Sequence, residues 1–376
     1  MNVALVHDWL DTWAGGENVL EHLAALFPRA PLFTLVDFFP PAQRQRLGER
    51  SIHVSFLQRM PFARSSFRRY LPLFPRAIES FDLSGYDVVI SSSHAVAKGV
   101  RTRADQLHIC YCFSPMRYAW DLRGQYLAQV GLHGGLRGHV VHGLLDRLAA
   151  WDLGASARVT TFVAISKYIA ARIARCYGRE AAVIYPPVEM PKTPATQPRE
   201  PGLYVTVSRL VPYKRIDVIA AAFRDLPGRR LVIVGEGSER ERIEAAAGDN
   251  VQLAGQLQDD ARNALLARAQ AFVFAADEDF GIAPIEAQAH GTPVIGYRRG
   301  ALTETIAGLD DPRPTGVFFD AQTPKAIVDA IRAFETDGAR IEARACRENA
   351  QRFAADRFRK EFLAFVTQQH EAFTQR

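Results

Sequence analysis

Two cations and two carboxylates in the second half of the chain have the types and spacing that suit a charged, hydroxyl-rich ligand. Arg209 and Lys214 lie five residues apart after an apolar run, and two cations held at a strand end can clamp a diphosphate. Solvated surface charges are the alternative interpretation of this pair. Glu286, expected inside the first turn of a helix, can accept hydrogen bonds from two ribose hydroxyls, and Glu278 can meet the hydroxyls of a bound sugar. The four residues predict a site that combines phosphate and hydroxyl recognition.

The loop that joins the two glutamates has the composition of a strand-to-helix turn. Gly281 allows a close approach of the backbone, and Pro284 suits the first turn of a helix. Free N–H groups at such a helix start can hold phosphate oxygens. Asp277 and Asp279 also match a D-x-D metal site, in which two carboxylates hold a divalent ion against a diphosphate. Because the cation pair already supplies positive charge, we expect no metal here.

The first half of the chain carries three further loops with candidate groups. Gly15, Gly16 and Glu17 lie between the first predicted strand and helix, where backbone amides can reach a phosphate or a sugar. His94 follows a run of serines at another strand end, where a catalytic and a structural role are both open. A third loop suits carbohydrate recognition, with a packed helix start as the alternative. Its candidate side chains are Arg117, Tyr118, Trp120 and Asp121.

The periodicity of the apolar residues predicts an α/β fold with two doubly wound lobes and an interdomain cleft. Short apolar strands alternate with helices in both halves, which favours parallel sheets. Ligands of such sheets bind at the carboxyl ends of the strands, beside helix N-termini. The predicted strands are 3–7, 87–91, 107–112, 161–164, 203–207, 231–234, 251–253, 271–274 and 292–296. The predicted helices are 18–26, 136–153, 216–223, 239–247, 262–269 and 284–290, and 326–373 is strongly helical.

A proline-rich stretch predicts the boundary between the lobes. We predict an N-terminal lobe over residues 1–190, a linker over 191–202 and a C-terminal lobe over 203–356. The C-terminal helix, residues 357–376, is predicted to pack back on the N-terminal lobe.

The composition is that of a globular protein. Of the 376 residues, 48% are hydrophobic and 23% are charged, which excludes a mainly disordered chain. No run reaches the ~18–20 apolar residues that cross a bilayer, and the N-terminus lacks a signal-peptide pattern. We therefore expect a protein in the cytoplasm or peripheral at the inner face of the cell membrane. Cys110 and Cys112 share one face of a predicted strand and are interpreted as buried, inert thiols.

The net charge of +5 is concentrated in the first half of the chain. Residues 50–76 contain six arginines and no acidic residue, interleaved with aromatic side chains. Such a segment suits an anionic membrane surface, and a solvated loop is the alternative. Nucleic acid is not expected as a partner, because the rest of the chain has no basic stripe and no known binding motif.

Together these loops resemble the family 4 retaining glycosyltransferases of the GT-B fold. The resemblance is carried by Gly15-Gly16-Glu17, by Arg209 with Lys214, and by the E-x7-E element from Glu278 to Glu286. The family pattern in that element is E-G-F-G-x-x-x-x-E, and here Asp279 replaces the first glycine. Residues 287–295 are similar to the A-x-A-x-G-x-P-V-I that follows in the family. The resemblance covers nearly the whole chain.

The resemblance implies donor-binding roles in both lobes. The cation pair would bind the donor diphosphate, Glu286 would hold the ribose, and Glu278 would contact the donor sugar near the reacting centre. Backbone amides around Phe280, Gly281 and Ile282 would hold phosphate, and the glycine pair Gly15–Gly16 would approach it from the other lobe. The family needs no divalent metal and no cofactor beyond the nucleotide sugar.

One departure from the family pattern concerns a histidine. Relatives commonly carry H-x-P after the strand that corresponds to residues 107–112, where it contacts the donor sugar, and this chain has Phe113-Ser114-Pro115. Either His94 or another group compensates, or the activity is low. We assign His94 and Glu278 to the catalytic centre.

A narrower resemblance concerns the reaction. The Arg117–Asp121 cluster and the opening His7-Asp8-Trp9-Leu10 resemble a bacterial subgroup that builds O-antigen or exopolysaccharide repeats, several members of which transfer mannose from GDP-mannose. We therefore expect a metal-independent hexosyltransferase that acts on a lipid-linked or oligosaccharide acceptor. The acceptor side would comprise Glu17, Arg117, Tyr118, Trp120 and Asp121.

Two other functions are compatible with this fold. A nucleotide-sugar epimerase would release free sugar or an epimer without an acceptor, and a non-catalytic subunit would bind the donor without turning it over. A NAD dehydrogenase is disfavoured, because the loop Val234-Gly235-Glu236-Gly237 lacks the third glycine of the dinucleotide motif.

Overall fold

The structure is a computed structural model that describes residues 1–120, 135–192 and 198–375. The chain divides into two compact units. Unit 1 comprises Met1–Pro187 and Phe358–Arg376, and unit 2 comprises Val188–Arg357.

Unit 1 is built on a sheet of seven parallel strands in the order β3-β2-β1-β4-β5-β6-β7. The three central strands β1, β4 and β5 are buried at every position, as expected for a parallel sheet that is covered on both faces. The strands are β1 (Val3–His7), β2 (Leu32–Thr34), β3 (Ile52–Val54), β4 (Val88–Ser93), β5 (Leu107–Cys112), β6 (Thr161–Ala164) and β7 (Ala181–Val183).

The helices of unit 1 cover this sheet and follow the strands along the chain. They are α1 (Gly15–Leu26), α2 (Pro41–Arg46), α3 (Ala63–Ser66), α4 (Phe74–Glu79), α5 (Gly135–Ser156) and α6 (Lys167–Tyr177). Short 3-10 helices span Phe56–Arg59, Phe67–Leu73 and Ala97–Gly99.

Unit 2 has a second parallel sheet of six strands in the order β10-β9-β8-β11-β12-β13. Its strands are β8 (Leu203–Val207), β9 (Arg230–Val234), β10 (Val251–Gly255), β11 (Ala271–Phe274), β12 (Val294–Tyr297) and β13 (Gly316–Phe319). Its helices are α7 (Ile216–Phe223), α8 (Arg240–Ala246), α9 (Asp259–Arg268), α10 (Ile282–Ala289), α11 (Leu302–Thr305), α12 (Pro324–Asp337) and α13 (Ala343–Gln351). The predicted α/β class with two doubly wound sheets is confirmed.

The last helix, α14 (Ala355–Thr374), begins in unit 2 and continues into unit 1. Phe358 and Phe362 on this helix are fully buried, and their rings lie 5.7 and 5.8 Å from the ring of Tyr111 on β5. The end of the chain therefore completes the core of unit 1.

Two further properties follow from the packing. All four cysteines are buried, as predicted for Cys110 and Cys112, and burial raises the pKa of the Cys112 thiol. Of the helices in the described part of the chain, none combines the length and the apolar character that a bilayer crossing demands.

Candidate functional site

The predicted cation pair of unit 2 lies in the loop that leaves β8. Lys214 ends a 3-10 turn, and its Nζ forms an ion pair with Oε1 of Glu278, where both side chains are only about 15% exposed. Arg209 is exposed, and its Nη2 donates a hydrogen bond to the hydroxyl of Tyr213 over 3.2 Å. The structure therefore places Lys214, predicted to bind the diphosphate, in direct contact with Glu278, predicted to bind the donor sugar.

The loop after β11 ends at the N-terminus of α10, as the sequence predicted. Gly281 has φ = 83°, a conformation that favours glycine, and it directly precedes the helix. Because Ile282 and Ala283 are the first two helical residues, their N–H groups have no acceptor within the helix. The side chain of Phe280 is buried against Phe353, with 5.7 Å between the ring centroids. This helix start presents backbone donors, which suit an anion.

Glu286 is the fifth residue of α10, which corrects the expectation that it lies inside the first turn. Its Oε1 lies 3.7 Å from Nη2 of Arg262 on α9, and the Glu286 side chain is 25% exposed. Burial raises the pKa of Glu286, and the charge of Arg262 opposes that rise. Arg262 is a neighbour of the site that sequence reasoning missed, because it lies on a helix with no motif.

Close backbone packing fixes the loop that carries Arg209. A Cβ at Gly235 would lie 1.8 Å from the carbonyl oxygen of Ser208, and a Cβ at Gly237 would lie 2.2 Å from that of Leu210. The N–H of Ser208 also donates to the Val234 carbonyl over 3.0 Å. These contacts explain both glycines by the close approach of the neighbouring loop backbone at residues 208–210.

A second loop packs against Glu278 in the same way. A Cβ at Gly300 would lie 2.2 Å from the Glu278 carbonyl oxygen, which accepts a hydrogen bond from the Ala301 N–H over 2.9 Å. Asp279 is buried, with 7% of its surface exposed. No group of three or more His, Cys, Asp or Glu side chains within the described ranges has an arrangement that could hold a metal ion. The D-x-D pair gains no third ligand of these types there.

The candidate group of unit 1 centres on a carboxylate that sequence reasoning missed. Asp8 follows β1 and is fully buried. Its two oxygens accept hydrogen bonds from the backbone N–H groups of residues 94, 95, 96 and 97 over 2.6–3.1 Å. Oδ2 also lies 3.0 Å from Nδ1 of His94, whose side chain is 36% exposed.

Charge coupling in this pair stabilises both ionised groups. Burial alone would raise the pKa of Asp8, but His94 outweighs it and the net pKa lies well below the ordinary range. Burial alone would lower the pKa of His94, but the Asp8 carboxylate outweighs it and the net pKa is raised. The charge of Arg117 acts against this rise in the pKa of His94, so Arg117 lies within electrostatic reach of the pair.

The predicted glycine pair begins α1, and Glu17 caps it. Gly15 and Gly16 are the first two helical residues, so their N–H groups have no acceptor within the helix. Glu17 Oε2 accepts from the Ala14 N–H over 2.8 Å, and Oε1 lies 3.4 Å from Nε2 of the buried His7. Burial alone would raise the pKa of Glu17, but the hydrogen bond with His7 lowers it. The Glu17 carboxylate is therefore engaged within unit 1.

Phe113, which stands where relatives carry a histidine, lies beside the other candidate groups. A Cβ at Gly16 would lie 3.6 Å from its ring, an ordinary contact distance. Its ring centroid is 6.4 Å from that of His94, which follows the neighbouring strand β4. The imidazole of His94 is therefore near the position from which the expected histidine is missing.

Two side chains of the predicted acceptor-side cluster, Tyr118 and Trp120, pack within unit 1. Trp120 Nε1 donates to Oδ2 of the buried Asp152 over 2.9 Å, and the Tyr118 ring packs against a core cluster. Asp152 also forms an ion pair of 2.5 Å with the fully buried Lys98, whose Nζ donates to the Ala95 carbonyl over 2.7 Å. Lys98 thereby ties down the loop that surrounds Asp8. Asp121 lies outside the described residues.

Comparisons with known proteins agree with this architecture. Residues 192–353 match the family model described as "Glycosyl transferases group 1". The GDP-mannose-dependent alpha-(1-6)-phosphatidylinositol dimannoside mannosyltransferase of Mycobacterium tuberculosis is 35% identical over 154 residues, which are 40% of this chain and 39% of that protein. The corresponding monomannoside mannosyltransferase of that organism is 29% identical over 221 residues, 51% of this chain and 56% of that protein. The chain thus spans about half or less of the length of these relatives.

Solved structures match over nearly the full length of the chain. Sucrose-phosphate synthase of Thermosynechococcus elongatus is 19% identical with a TM-score of 0.72, and covers 98% of this chain and 99% of that one. HepE of Anabaena, solved with UDP and glucose, is 16% identical with a TM-score of 0.66 and the same coverage. At these identities the likeness establishes the fold.

Two parallel-sheet units, with helices that begin at the strand ends, define the GT-B fold class. Within unit 2, residues 192–353 match the group 1 glycosyltransferase family, and the whole chain has the fold of the GT-B structures. The resemblance and the enzyme class predicted from the sequence are confirmed.

Proposed function

We propose that the protein transfers a hexosyl unit, mannose from GDP-mannose, to a lipid-linked or oligosaccharide acceptor in the synthesis of a bacterial surface polysaccharide, with retention of anomeric configuration. The observation that carries the proposal is the group in unit 2 formed by Arg209, Lys214, Glu278 and the start of α10. The names of the relatives support the choice of donor, because they describe GDP-mannose-dependent mannosyltransferases.

Donor binding exchanges an internal ion pair for ligand contacts. The diphosphate takes Lys214 from Glu278, and the carboxylate that is released accepts hydrogen bonds from the hydroxyls of the donor sugar. Arg209 is already exposed and adds a second cation to the diphosphate. Glu286 accepts hydrogen bonds from the ribose.

Catalysis is chiefly electrostatic stabilisation of the departing diphosphate. Arg209, Lys214 and the N-terminal end of the α10 dipole all favour negative charge that develops on the phosphate oxygens. These groups supply the charge for which other transferases use a divalent ion, and we propose that no metal is required.

Retention follows from attack on the face that the diphosphate leaves. The acceptor oxygen forms its bond to the anomeric carbon as the bond to the leaving phosphate oxygen breaks, and the hydroxyl proton passes to that phosphate. No carboxylate nucleophile is needed, in contrast to retaining hydrolases. Glu278, which pairs with Lys214, binds the sugar rather than attacking it.

Unit 1 supplies the acceptor side. His94, whose pKa the Asp8 carboxylate raises, donates to a hydroxyl or phosphate oxygen of the acceptor. Arg117 lies within electrostatic reach of His94 and adds positive charge near it. A lipid-linked acceptor is supported by relatives named for phosphatidylinositol mannosides and for the lipopolysaccharide core, the latter being LpsB of Rhizobium meliloti.

The test is calorimetry with GDP-mannose, UDP-glucose, UDP-galactose, UDP-N-acetylglucosamine and dTDP-rhamnose, without added metal. We expect selective binding of GDP-mannose, weakened about 10- to 100-fold in Lys214→Ala and in Glu286→Ala, since each loses hydrogen bonds that involve a charged group. Lys325→Ala is the matched control, because Lys325 is 85% exposed and pairs with Asp329 one helical turn away.

Each outcome decides a different part of the proposal. Selectivity for another sugar nucleotide would reject mannose and keep the transfer reaction. Unchanged affinity in both variants would reject the assigned site. Release of an epimer or free sugar without an acceptor would identify the epimerase, and tight binding without turnover would identify the non-catalytic subunit.

A further inference from the structure

Phe62 is the most exposed large apolar side chain of the described residues, with 82% of its surface accessible. Its backbone has φ = 55°, a left-handed conformation that is uncommon for a residue with a bulky side chain. The Phe62 carbonyl accepts hydrogen bonds from the N–H groups of Ser65 and Ser66 over 3.1 and 2.9 Å and from the Ser65 hydroxyl over 3.2 Å. These bonds fix the backbone that presents the ring to the surroundings.

Buried side chains on both sides of Phe62 in the sequence hold its segment against unit 1. Leu57, Ala63, Phe67 and Phe74 are all buried in the core of unit 1. The Tyr70 hydroxyl donates to the carbonyl of residue 61 over 2.8 Å and closes the turn. The exposed ring of Phe62 is therefore carried by a backbone that buried side chains hold in place. We name residues 56–76 the basic tip.

The basic tip presents unpaired positive charge to the surroundings. Arg59, Arg64, Arg69 and Arg76 are exposed, and across the described ranges none of the four forms an ion pair. Arg50 belongs to the segment predicted to face a membrane, but its guanidinium donates to the carbonyls of residues 24, 27 and 30 around the end of α1 and of residue 47 after α2. The charged surface is thus narrower than residues 50–76.

The basic tip is continuous with the candidate acceptor group. The Trp9 ring lies 5.7 Å from the ring of Phe67 in the tip and 4.5 Å from that of His94. Arg68 pairs with Asp11 over 2.6 Å and lies over the ring of Trp9 at 5.5 Å. One tryptophan therefore contacts both the tip and the candidate catalytic histidine.

We propose that the basic tip docks unit 1 on an anionic lipid bilayer, with the Phe62 ring inserted at the boundary between headgroups and acyl chains. The four unpaired arginines bind lipid phosphates, and the exposed ring supplies the apolar contact that charge alone lacks. The inference rests on the proposed transfer to a lipid-linked acceptor, because docking at this surface brings the Trp9–His94 contact close to the membrane.

The first test places an environment-sensitive NBD fluorophore at the tip by Phe62→Cys and maleimide labelling of the full chain. Labelling is selective, because the four native cysteines are buried. With vesicles of phosphatidylcholine and phosphatidylglycerol we expect a blue shift and a several-fold rise in emission, and with pure phosphatidylcholine no change. Leu363→Cys is the control, since Leu363 is another exposed apolar residue of unit 1 at 42% exposure.

The second test is vesicle flotation of unlabelled variants. Phe62→Asp and the double variant Arg64→Glu/Arg69→Glu should each lower partitioning onto anionic vesicles about ten-fold or more. Arg332→Glu, an exposed arginine in unit 2, should behave as the wild type.

Several results would overturn the proposal. They are equal flotation of the tip variants and the wild type, equal binding to neutral vesicles, an NBD signal that ignores lipid, or a Phe62-dependent dimer by ultracentrifugation in the absence of vesicles. GDP-mannose affinity of Phe62→Asp is measured in parallel. If that affinity equals the wild-type value but Phe62→Asp floats with anionic vesicles as the wild type does, the proposed donor site stands and only the membrane surface is rejected.

Discussion

The candidate groups of the two units satisfy their charges in different ways. In unit 1 the Asp8 carboxylate is fully buried and receives four backbone N–H groups as well as His94. In unit 2 Arg209 is exposed, and Lys214 has the side chain of Glu278 as its ion-pair partner. The group in unit 1 is therefore preorganised, whereas donor binding as proposed for unit 2 exchanges the partner of Lys214.

The largest expected effect is a loss of stability when the preorganised group of unit 1 is altered. Asp8→Asn removes the carboxylate that four N–H groups and His94 surround, and we expect a loss of about 3–5 kcal/mol in the free energy of unfolding. Denaturant unfolding measures it, with the exposed Asp105→Asn as the control.

The pH dependence of this loss has a definite sign. Because folding lowers the pKa of Asp8, its contribution is present at neutral pH and fades as the pH falls below the ordinary carboxyl value of 3.8. The difference between variant and wild type should therefore shrink in acid. A constant difference down to low pH would contradict the coupling.

The next effect concerns catalysis. His94→Gln should lower kcat about 100-fold and leave nucleotide affinity in unit 2 unchanged, because it removes a charged donor from the acceptor side alone. The pKa of His94 is raised above its ordinary value of 6.5. The charged imidazole, and the stability that it gains from Asp8, are therefore fully present below pH 6.5. Both are lost as the pH rises through the raised pKa. The wild-type rate should decline over that alkaline range, and His94→Gln should lack the decline. His370→Gln is the control.

A smaller effect, on ligand affinity, concerns the Lys214–Glu278 ion pair of unit 2. Glu278→Gln frees Lys214 from its ion pair, so a nucleoside diphosphate should bind about ten-fold more tightly while the intact sugar nucleotide loses that gain. Calorimetry with both ligands measures the ratio. Glu236→Gln, which breaks an exposed pair with Arg240, should alter neither affinity. Equal changes for both ligands would show that Glu278 does not sense the sugar.

The smallest effect compares the glycines that begin the two helices. Gly281 has φ = 83°, and a Cβ there would lie 3.3 Å from Leu302, so Gly281→Ala should cost about 1–2 kcal/mol in unfolding free energy. Gly16 lies in α1, and a Cβ there would make an ordinary contact with Phe113, so Gly16→Ala should change stability by less than about 1 kcal/mol. Thermal unfolding of the two variants compares them directly, and equal losses would contradict the strain argument.

The sequence predicted elements that have a strong local pattern. Strands β1, β5, β6, β8 and β11 begin and end where the apolar runs predicted. Strands β2, β3 and β7 have three residues each, too few for any periodicity, and they were missed. Their positions depend on pairing with neighbouring strands that are distant along the chain, and a local pattern does not contain that information.

The same distinction holds for the site. The strand-end positions of Arg209, Lys214 and Glu278 follow from local motifs, but the contact of Lys214 with Glu278 joins residues 64 positions apart. The role of Asp8 depends on a loop 86 residues away that folds around it, so no spacing near residue 8 predicts it. The sequence after β5 shows only that Phe113 replaces the expected histidine. In the structure His94, at the end of the neighbouring strand, lies beside Phe113.

The last helix has a consequence for the order in which the protein folds during synthesis. Unit 2 is one continuous segment with its own apolar cores, whereas unit 1 receives Phe358 and Phe362 from beyond unit 2. A ribosome must therefore translate all of unit 2 before the Tyr111 side of unit 1 can be covered. Unit 1 is therefore begun first and completed last, and until then Tyr111 lacks the two aromatic rings that cover it.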